Sequence, residues 1–239
     1  MAVHETTRLA TERYYSDYEA RRGRARNDIL HNPEVLFQVL AAEASLISAL
    51  RLIGPDRAHT KVLDVGCGDG SSLLPLLRLG FEPSNLYGVD IRGEQIAVAQ
   101  ARYPGLGFQC ADASNLSYPD EVFDIVQESM IFLQIPDDDL SLRIASEMLR
   151  ITKIRGHIVL SDWRFGKIGS REFNPMNMKR ISRLFSVGPK TIVRKVFRGA
   201  LVPPVGRFFS KNVPSMYIAI SALFPFLVGQ KATVLQKVR

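Results

Sequence analysis

"VLDVGCGDGSS", residues 62–72, decides the fold of this 239-residue chain. A short apolar run ends in Asp64. Gly66, Gly68 and Gly70 then stand on alternate positions, and two serines follow. A chain gives up side chains where its backbone takes left-handed angles or where a ligand lies against it. A glycine turn after the first strand is the usual floor of the ligand site in an open parallel sheet.

Working outward from that turn, strands and helices alternate. "KVLDVG", "NLYGVD", "LGFQCAD", "VFDIVQES" and "GHIVLSDW" read as short strands. "SSLLPLLRLG", "GEQIAVAQARY" and "PDDDLSLRIASEMLRIT" read as helices, the last with Leu140, Ile144, Met148 and Ile151 on one stripe. Pro75 lies near enough to a helix start to be tolerated. Upstream, Asn32-Pro33 opens a helix and Gly54-Pro55 closes it. Such alternation predicts βαβ units and an α/β fold, with a parallel sheet covered on both faces. Beyond residue 165 a helix around "PMNMKRISRLF" and a last strand "ATVLQKV" are expected, with the basic stretch between them unassigned. Three parts result: a helical lid or cap segment at 1–55, a cofactor-binding core at 56–165, and a basic C-terminal part at 166–239.

The acids around the turn select the ligand. The spacing G-C-G-D-G departs from the dinucleotide fingerprint G-x-G-x-x-G, and no Gly-Lys-Ser/Thr of a phosphate loop follows. Asp64 and Asp69 would repel a pyrophosphate and favour a cation. Asp90 ends the second strand 20 residues after Gly70, where an acid takes ribose hydroxyls. Asp112 ends the third strand, placed to accept from the amine of an adenine. Each acid alone could be a helix cap; Asp64, Asp90 and Asp112 closing three successive strands point to a nucleoside-bearing cofactor.

The order VLDVGCGDG, GVD, ADAS, FDIVQES, a helix and GHIVLSDW resembles the class I S-adenosylmethionine-dependent methyltransferases over roughly residues 58–165. The resemblance implies a Rossmann-like, seven-stranded, mostly parallel sheet with helices on both faces and an antiparallel last strand. It implies S-adenosyl-L-methionine as cofactor: Gly66, Cys67, Gly68 and Gly70 along the methionine part, Asp64 organising the loop, Asp90 and Ile91 at the ribose, Asp112 and Ala113 at the adenine. Gln127 and Glu128 would line the site near the methyl group.

Methyl transfer to a hydroxyl needs alignment, exclusion of water and a base. Asp162, Glu128 and His31 are the candidates, with Asp162 equally readable as a turn cap. Trp163, Arg164 and Phe165 beside it offer either a platform with an anion contact or a core plug. His157 precedes the fifth strand and belongs at the opposite edge. No metal is required, and Asp137–Asp139 reads as the acidic start of a helix. Tyr14, Tyr15 and Tyr18 lie either in a lid over the cofactor or in an exposed arm.

Charge bears on the partner. Residues 1–150 hold 14 Lys and Arg against 22 Asp and Glu; residues 151–239 hold 17 against 2, Asp162 and Glu172. The sums, −8 and +15, predict an anionic partner for the C-terminal part, or simply a solvated basic face. The uncharged run 213–230 is interrupted by prolines and reads as core or as a surface resting on lipid. The expected acceptor is a small polar, phosphate- or lipid-linked molecule, foremost a sugar or glycan hydroxyl, with peripheral contact to an anionic membrane. Nucleic acid ranks lower, since "QESM" stands where amino-methylating enzymes carry their own motif; a cofactor binder without turnover is the other alternative. Two cysteines and a charged first stretch, "MAVHETTRLA", predict a cytoplasmic protein without a signal peptide.

Overall fold

The structure is a computed structural model that describes residues 29–166 and 173–239. The tyrosines of the expected lid and Glu172 lie outside the described residues. Seven strands form one sheet: β1 (Val62–Val65), β2 (Leu86–Asp90), β3 (Gly107–Cys110), β4 (Phe123–Ser129), β5 (Thr152–Trp163), β6 (Thr191–Arg198) and β7 (Gln230–Lys237). Their order is β3-β2-β1-β4-β5-β7-β6, parallel from β3 to β5, with β7 antiparallel to both neighbours. The helices are α1 (Pro33–Ile53), α2 (Leu74–Arg78), α3 (Gly93–Arg102), α4 (Asp138–Ile151), α5 (Met178–Leu184), α6 (Pro203–Asn212) and α7 (Tyr217–Leu223). The α/β architecture, the seven strands and the antiparallel "ATVLQKV" strand are as expected.

Side-chain alternation divides the core between the two faces of the sheet. Leu63, Val65, Val126, Ile158, Leu160 and Leu235 pack on one face with the buried stripes of α4 and α5. Val62, Ile125, Val159 and Val234 pack on the other with Ala49 and Leu50 of α1 and Leu76 of α2. Local signals behave as the sequence predicts at most ends. Pro33 opens α1, and Gly54, at φ 64°, closes it with its N–H on the Leu50 carbonyl; the Asn32 side chain makes no capping bond. Asp137 does cap α4, accepting from the N–H groups of Asp139 and Leu140.

β6 escapes a pattern reading for a physical reason. It is the sheet's edge, paired on one side only, and a register shift between Val193 and Lys195 breaks the alternation of apolar and basic residues. Its Arg194, Lys195 and Arg198 are exposed, as suits an edge that must not recruit other strands.

The two ends of the described chain meet. α1 packs on α6 and on β5, β6 and β7. The Ser210 hydroxyl donates to the Pro33 carbonyl and accepts from the Phe37 N–H, and Arg207 pairs with Glu34 at 2.8 Å. Leu201, Tyr217 and Val228 form a small core there, against Phe37 and Phe209. Among the described residues α1 alone is a helix long and apolar enough to cross a membrane; here it lies against the sheet and α6.

A buried arginine ties the C-terminal part to the core. Arg180 of α5 donates to the carbonyls of Phe132, Ile135 and Asn174 and to the Ser141 hydroxyl. Truncating it strands several buried acceptors at once. Arg180→Ala is therefore expected to lower the unfolding free energy by about 3 kcal/mol in urea titrations; a loss below about 1 kcal/mol would show that the network is dispensable.

Candidate functional site

The carboxyl ends of β1 to β5 share one rim, and the glycine turn lies on it. Gly66, Gly68 and Gly70 have φ of 72°, 52° and 79°, so each occupies the left-handed region that other residues resist. A Cβ on Gly70 would also come within 2.7 Å of the Phe108 ring. The turn is stitched to β2: Gly66 and Cys67 donate to the Val89 carbonyl at 2.8 and 3.0 Å. The glycines thus serve the fold's own turn as well as leaving main chain exposed to a ligand. The Cys67 side chain points inward, packed with Leu73, Ile96 and Phe108. Only its main chain faces the rim. It fills the space opposite Gly88, where a Cβ would stand 2.7 Å from its sulfur.

Asp90 holds the turn from the next strand. One carboxylate oxygen accepts from the Gly68 N–H at 2.9 Å; the other accepts from the Arg92 N–H at 2.9 Å and its Nε at 3.3 Å. The loop-organising role expected of Asp64 is therefore shared by Asp90. Arg92, which the sequence reading did not single out, lies beside Gly68 and against this acid. Asp112 accepts from the Ser114 N–H at 2.8 Å, shaping the turn after β3, with Ala113 half-buried against the core. Ile91 is half-buried, its carbonyl accepting from the Cys110 thiol. Asp69 accepts from the Ser71 N–H and pairs with Arg102, so it is a structural acid.

The centre of the rim is buried and electron-rich. Asp64 and Gln127 are register partners on β1 and β4 and share a face of the sheet. Asp64 accepts from the Ser72 hydroxyl through one oxygen. Among the described residues its other oxygen, the Gln127 amide oxygen and Glu128 Oε1 find no hydrogen-bond partner. Burial pushes the Asp64 carboxyl up to about 7. On the opposite face, Glu128 accepts from the Ile131 N–H at 3.1 Å and Asp162 from those of Trp163 and Leu133 at 2.6 and 2.9 Å. Burial also pushes Asp162 up to about 7, and raises Glu128 well above the usual carboxylate range, with the Asp162 charge adding to it. Acceptor oxygens buried without donors are costly, and a donor cation in the rim would satisfy them. The site therefore fits a positively charged cofactor and disfavours a pyrophosphate.

Asp162, next to last in β5, accepts from its neighbour Trp163 and pins the loop after β4 through Leu133, rather than capping the turn that follows it. Arg164 is not disposed for the anion contact considered above. Its guanidinium donates to the carbonyls of Val228 and Phe226 at 2.7 and 2.6 Å and covers the Phe165 ring. Trp163 is half-buried, its indole N–H on Met130 Sδ. His157 lies at the amino edge, opposite the rim, with burial lowering its proton affinity. His31 is exposed just ahead of α1. Neither histidine joins the site. Beside Asp162 opens a cavity of about 250 Å³, walled by the apolar Leu160, Phe165, Met176, Met178, Ile181 and Val196 together with Asp162, Arg164, Asn177, Lys231 and Thr233.

The pattern of a family described as "Methyltransferase domain" matches residues 63–160. The phthiotriol/phenolphthiotriol dimycocerosates methyltransferase of Mycobacterium leprae is 31% identical over 145 residues, 58% of this chain and 50% of that protein. The 2-methyl-6-phytyl-1,4-hydroquinone methyltransferase of Synechocystis is 37% identical over 108 residues, 44% and 32% of the two chains. The chain thus spans half or less of these relatives' length. A solved structure of geranyl diphosphate C-methyltransferase from Streptomyces coelicolor, with S-adenosyl-L-homocysteine, superposes with a TM-score of 0.56 at 15% identity. That alignment covers 81% of this chain and 77% of that one, and shares the fold.

A cation beside Asp64 favours its ionised form, so cofactor binding expels a proton wherever the free protein still holds one. With the free carboxyl near 7, affinity should rise with pH from about 5 to about 7, by up to about tenfold per unit, and then flatten. Calorimetry with S-adenosylhomocysteine reads this directly; pH-independent affinity across that interval would remove Asp64 from the site.

Proposed function

We propose that residues 63–160, which match the pattern described as "Methyltransferase domain", form a class I S-adenosylmethionine-dependent methyltransferase domain, and that the protein transfers the methyl group of this cofactor to a hydroxyl on a lipid-like or lipid-linked acceptor. The observation that carries the reading is the pair of buried acceptor oxygens on Asp64 and Gln127 that find no donor among the described residues. Such a pair suits a ligand bearing positive charge and N–H donors. The cofactor supplies an already activated methyl group on a cationic sulfur.

The chain's own residues do the rest. The main chain of Gly66, Cys67, Gly68 and Gly70 would run along the cofactor's amino-acid part, with Asp64 and Gln127 beneath it. Asp90, sharing its charge with Arg92, would take the ribose, and Asp112 the adenine. Glu128 is the general base of this proposal: Oε1 has no hydrogen-bond partner among the described residues, and burial raises its proton affinity above that of an ordinary carboxylate. Asp162 keeps that affinity high and fixes the loop over the site.

The cavity beside Asp162 supports an acceptor with an apolar body. Its methionine, isoleucine and phenylalanine walls adapt to chains and rings. The named relatives act, by their names, on phthiotriol dimycocerosates and a phytyl hydroquinone. This supports the lipid part of the expected acceptor; on this reading a sugar or glycan hydroxyl would be carried on a lipid.

Mass spectrometry after incubation of protein and cofactor with total lipid extract, and separately with the water-soluble extract, tests the acceptor. A product heavier by one methylene in the lipid fraction is expected, and one only in the aqueous fraction overturns the lipid assignment. Asp90→Ala should weaken S-adenosylhomocysteine by about 1–3 kcal/mol, since both ribose and Gly68 lose an acceptor; unchanged binding in a folded variant removes the ribose role. Glu128→Gln should lower kcat about a hundredfold or more. Cofactor affinity should hold; an equal loss of affinity would make Glu128 a cofactor ligand instead.

A further inference from the structure

The C-terminal part carries a second feature that methyl transfer does not use. Leu223, Ile218 and Phe226 are 72, 71 and 64% exposed, and Phe208 and Phe224 are exposed beside them in the chain. Phe208 lies on α6, Ile218 and Leu223 on α7, Phe226 in the turn Pro225–Leu227 and Phe224 between these last two; α7 contacts both α6 and the turn, and all three pack on the small core of Leu201, Tyr217 and Val228. Large side chains concentrated this way, on a run with no charge from 212 to 230, exceed the scattered exposure of an ordinary surface.

The patch is built rather than loose. The Tyr217 hydroxyl accepts from the Leu201 N–H, anchoring α7 from beneath. Arg164 donates to the Phe226 carbonyl and Arg198 to that of Ala222. Two arginines therefore stand at the foot of the apolar prominence, and Lys211 is exposed on α6 next to Phe208. Residues 173–239 contain no acid at all. Because Arg164 follows β5 at the carboxyl rim, and Gly229 accepts from its N–H, the prominence flanks the rim that carries the site.

We propose that this face, Phe208, Ile218, Leu223, Phe224 and Phe226 flanked by the exposed cations Arg198 and Lys211, docks on an anionic lipid bilayer. Its apolar centre enters the boundary between headgroups and acyl chains, and its cations meet the phosphates. Charge complementarity selects this occupant over a two-fold pairing of the same face, which would set one acid-free collar against another. The purpose of the docking, delivering a lipid-borne acceptor to the adjacent rim, rests on the proposed function; the docking does not.

Flotation with vesicles tests it, without cofactor or acceptor. The full chain should bind vesicles of phosphatidylcholine with about 30% phosphatidylglycerol at least about tenfold more tightly than phosphatidylcholine alone, and less tightly at about 0.5 M salt than at 0.1 M. Ile218→Ser, Leu223→Ser and Phe226→Ser together should reduce binding at least about tenfold. Melting temperature and S-adenosylhomocysteine affinity should stay unchanged, showing that the fold and cofactor site are intact. Absence of wild-type binding to the anionic vesicles overturns the proposal, as does undiminished binding by the triple variant. So does a wild-type dimer in light scattering that the triple variant turns to monomer. Vesicle binding with no methylated lipid would retain the docking face and reject the lipid acceptor; a methylated lipid without vesicle binding does the reverse.

Discussion

Burial of carboxylates on one rim of the sheet is the constraint on which the rest depends. Asp64, Glu128 and Asp162 lie at the ends of three adjacent strands, each almost fully removed from water. Desolvation makes their charges expensive, and mutual repulsion makes them more so. Main-chain donors compensate in part: the Ile131, Leu133 and Trp163 N–H groups, aided by the Ser72 hydroxyl. What remains uncompensated is a demand for positive charge. A site of this kind costs stability, which the two-faced core beneath it must supply, and specifies its ligand by sign before any shape is considered.

The turn that lies over these acids is specified with unusual redundancy. Left-handed angles at three glycines, the close approach of Phe108 to Gly70 and of Cys67 to Gly88, and the Asp90 bond to Gly68 all favour the same backbone path. A turn so determined needs little reorganisation when a ligand arrives, and its N–H groups are already spent on Val89 and Asp90. The side chain most exposed to change there is Arg92, which shares Asp90 and must accommodate any hydroxyl that also seeks it.

The sheet and the cofactor rim were legible because their signals are local. Glycines at fixed offsets, acids at strand ends and apolar runs of four or five residues each carry their meaning within a short window. Asp137 and Pro33 announce helix starts for the same reason. What stayed illegible depends on residues distant in sequence. β6 exists because β7 offers it an edge, and its bulge hides the alternation. Arg164 read as a possible anion contact until the carbonyls of 226 and 228 claimed it. Arg180, on a short helix among other basic residues, gives no hint of the buried acceptors that it serves from 132 to 141.

The meeting of α1 with α6 has a temporal side. Phe37 bonds to Ser210 across 173 residues of chain, so the most apolar helix leaves the ribosome long before its covering elements exist. At synthesis rates of roughly 5–20 residues per second, that interval is about ten seconds or more. During it, nascent α1 is an uncovered hydrophobic segment of a kind that chaperones hold. Loop closure over such a span is slow, and the sheet is completed only once β7, made after both of its neighbours, pairs with β5 and β6.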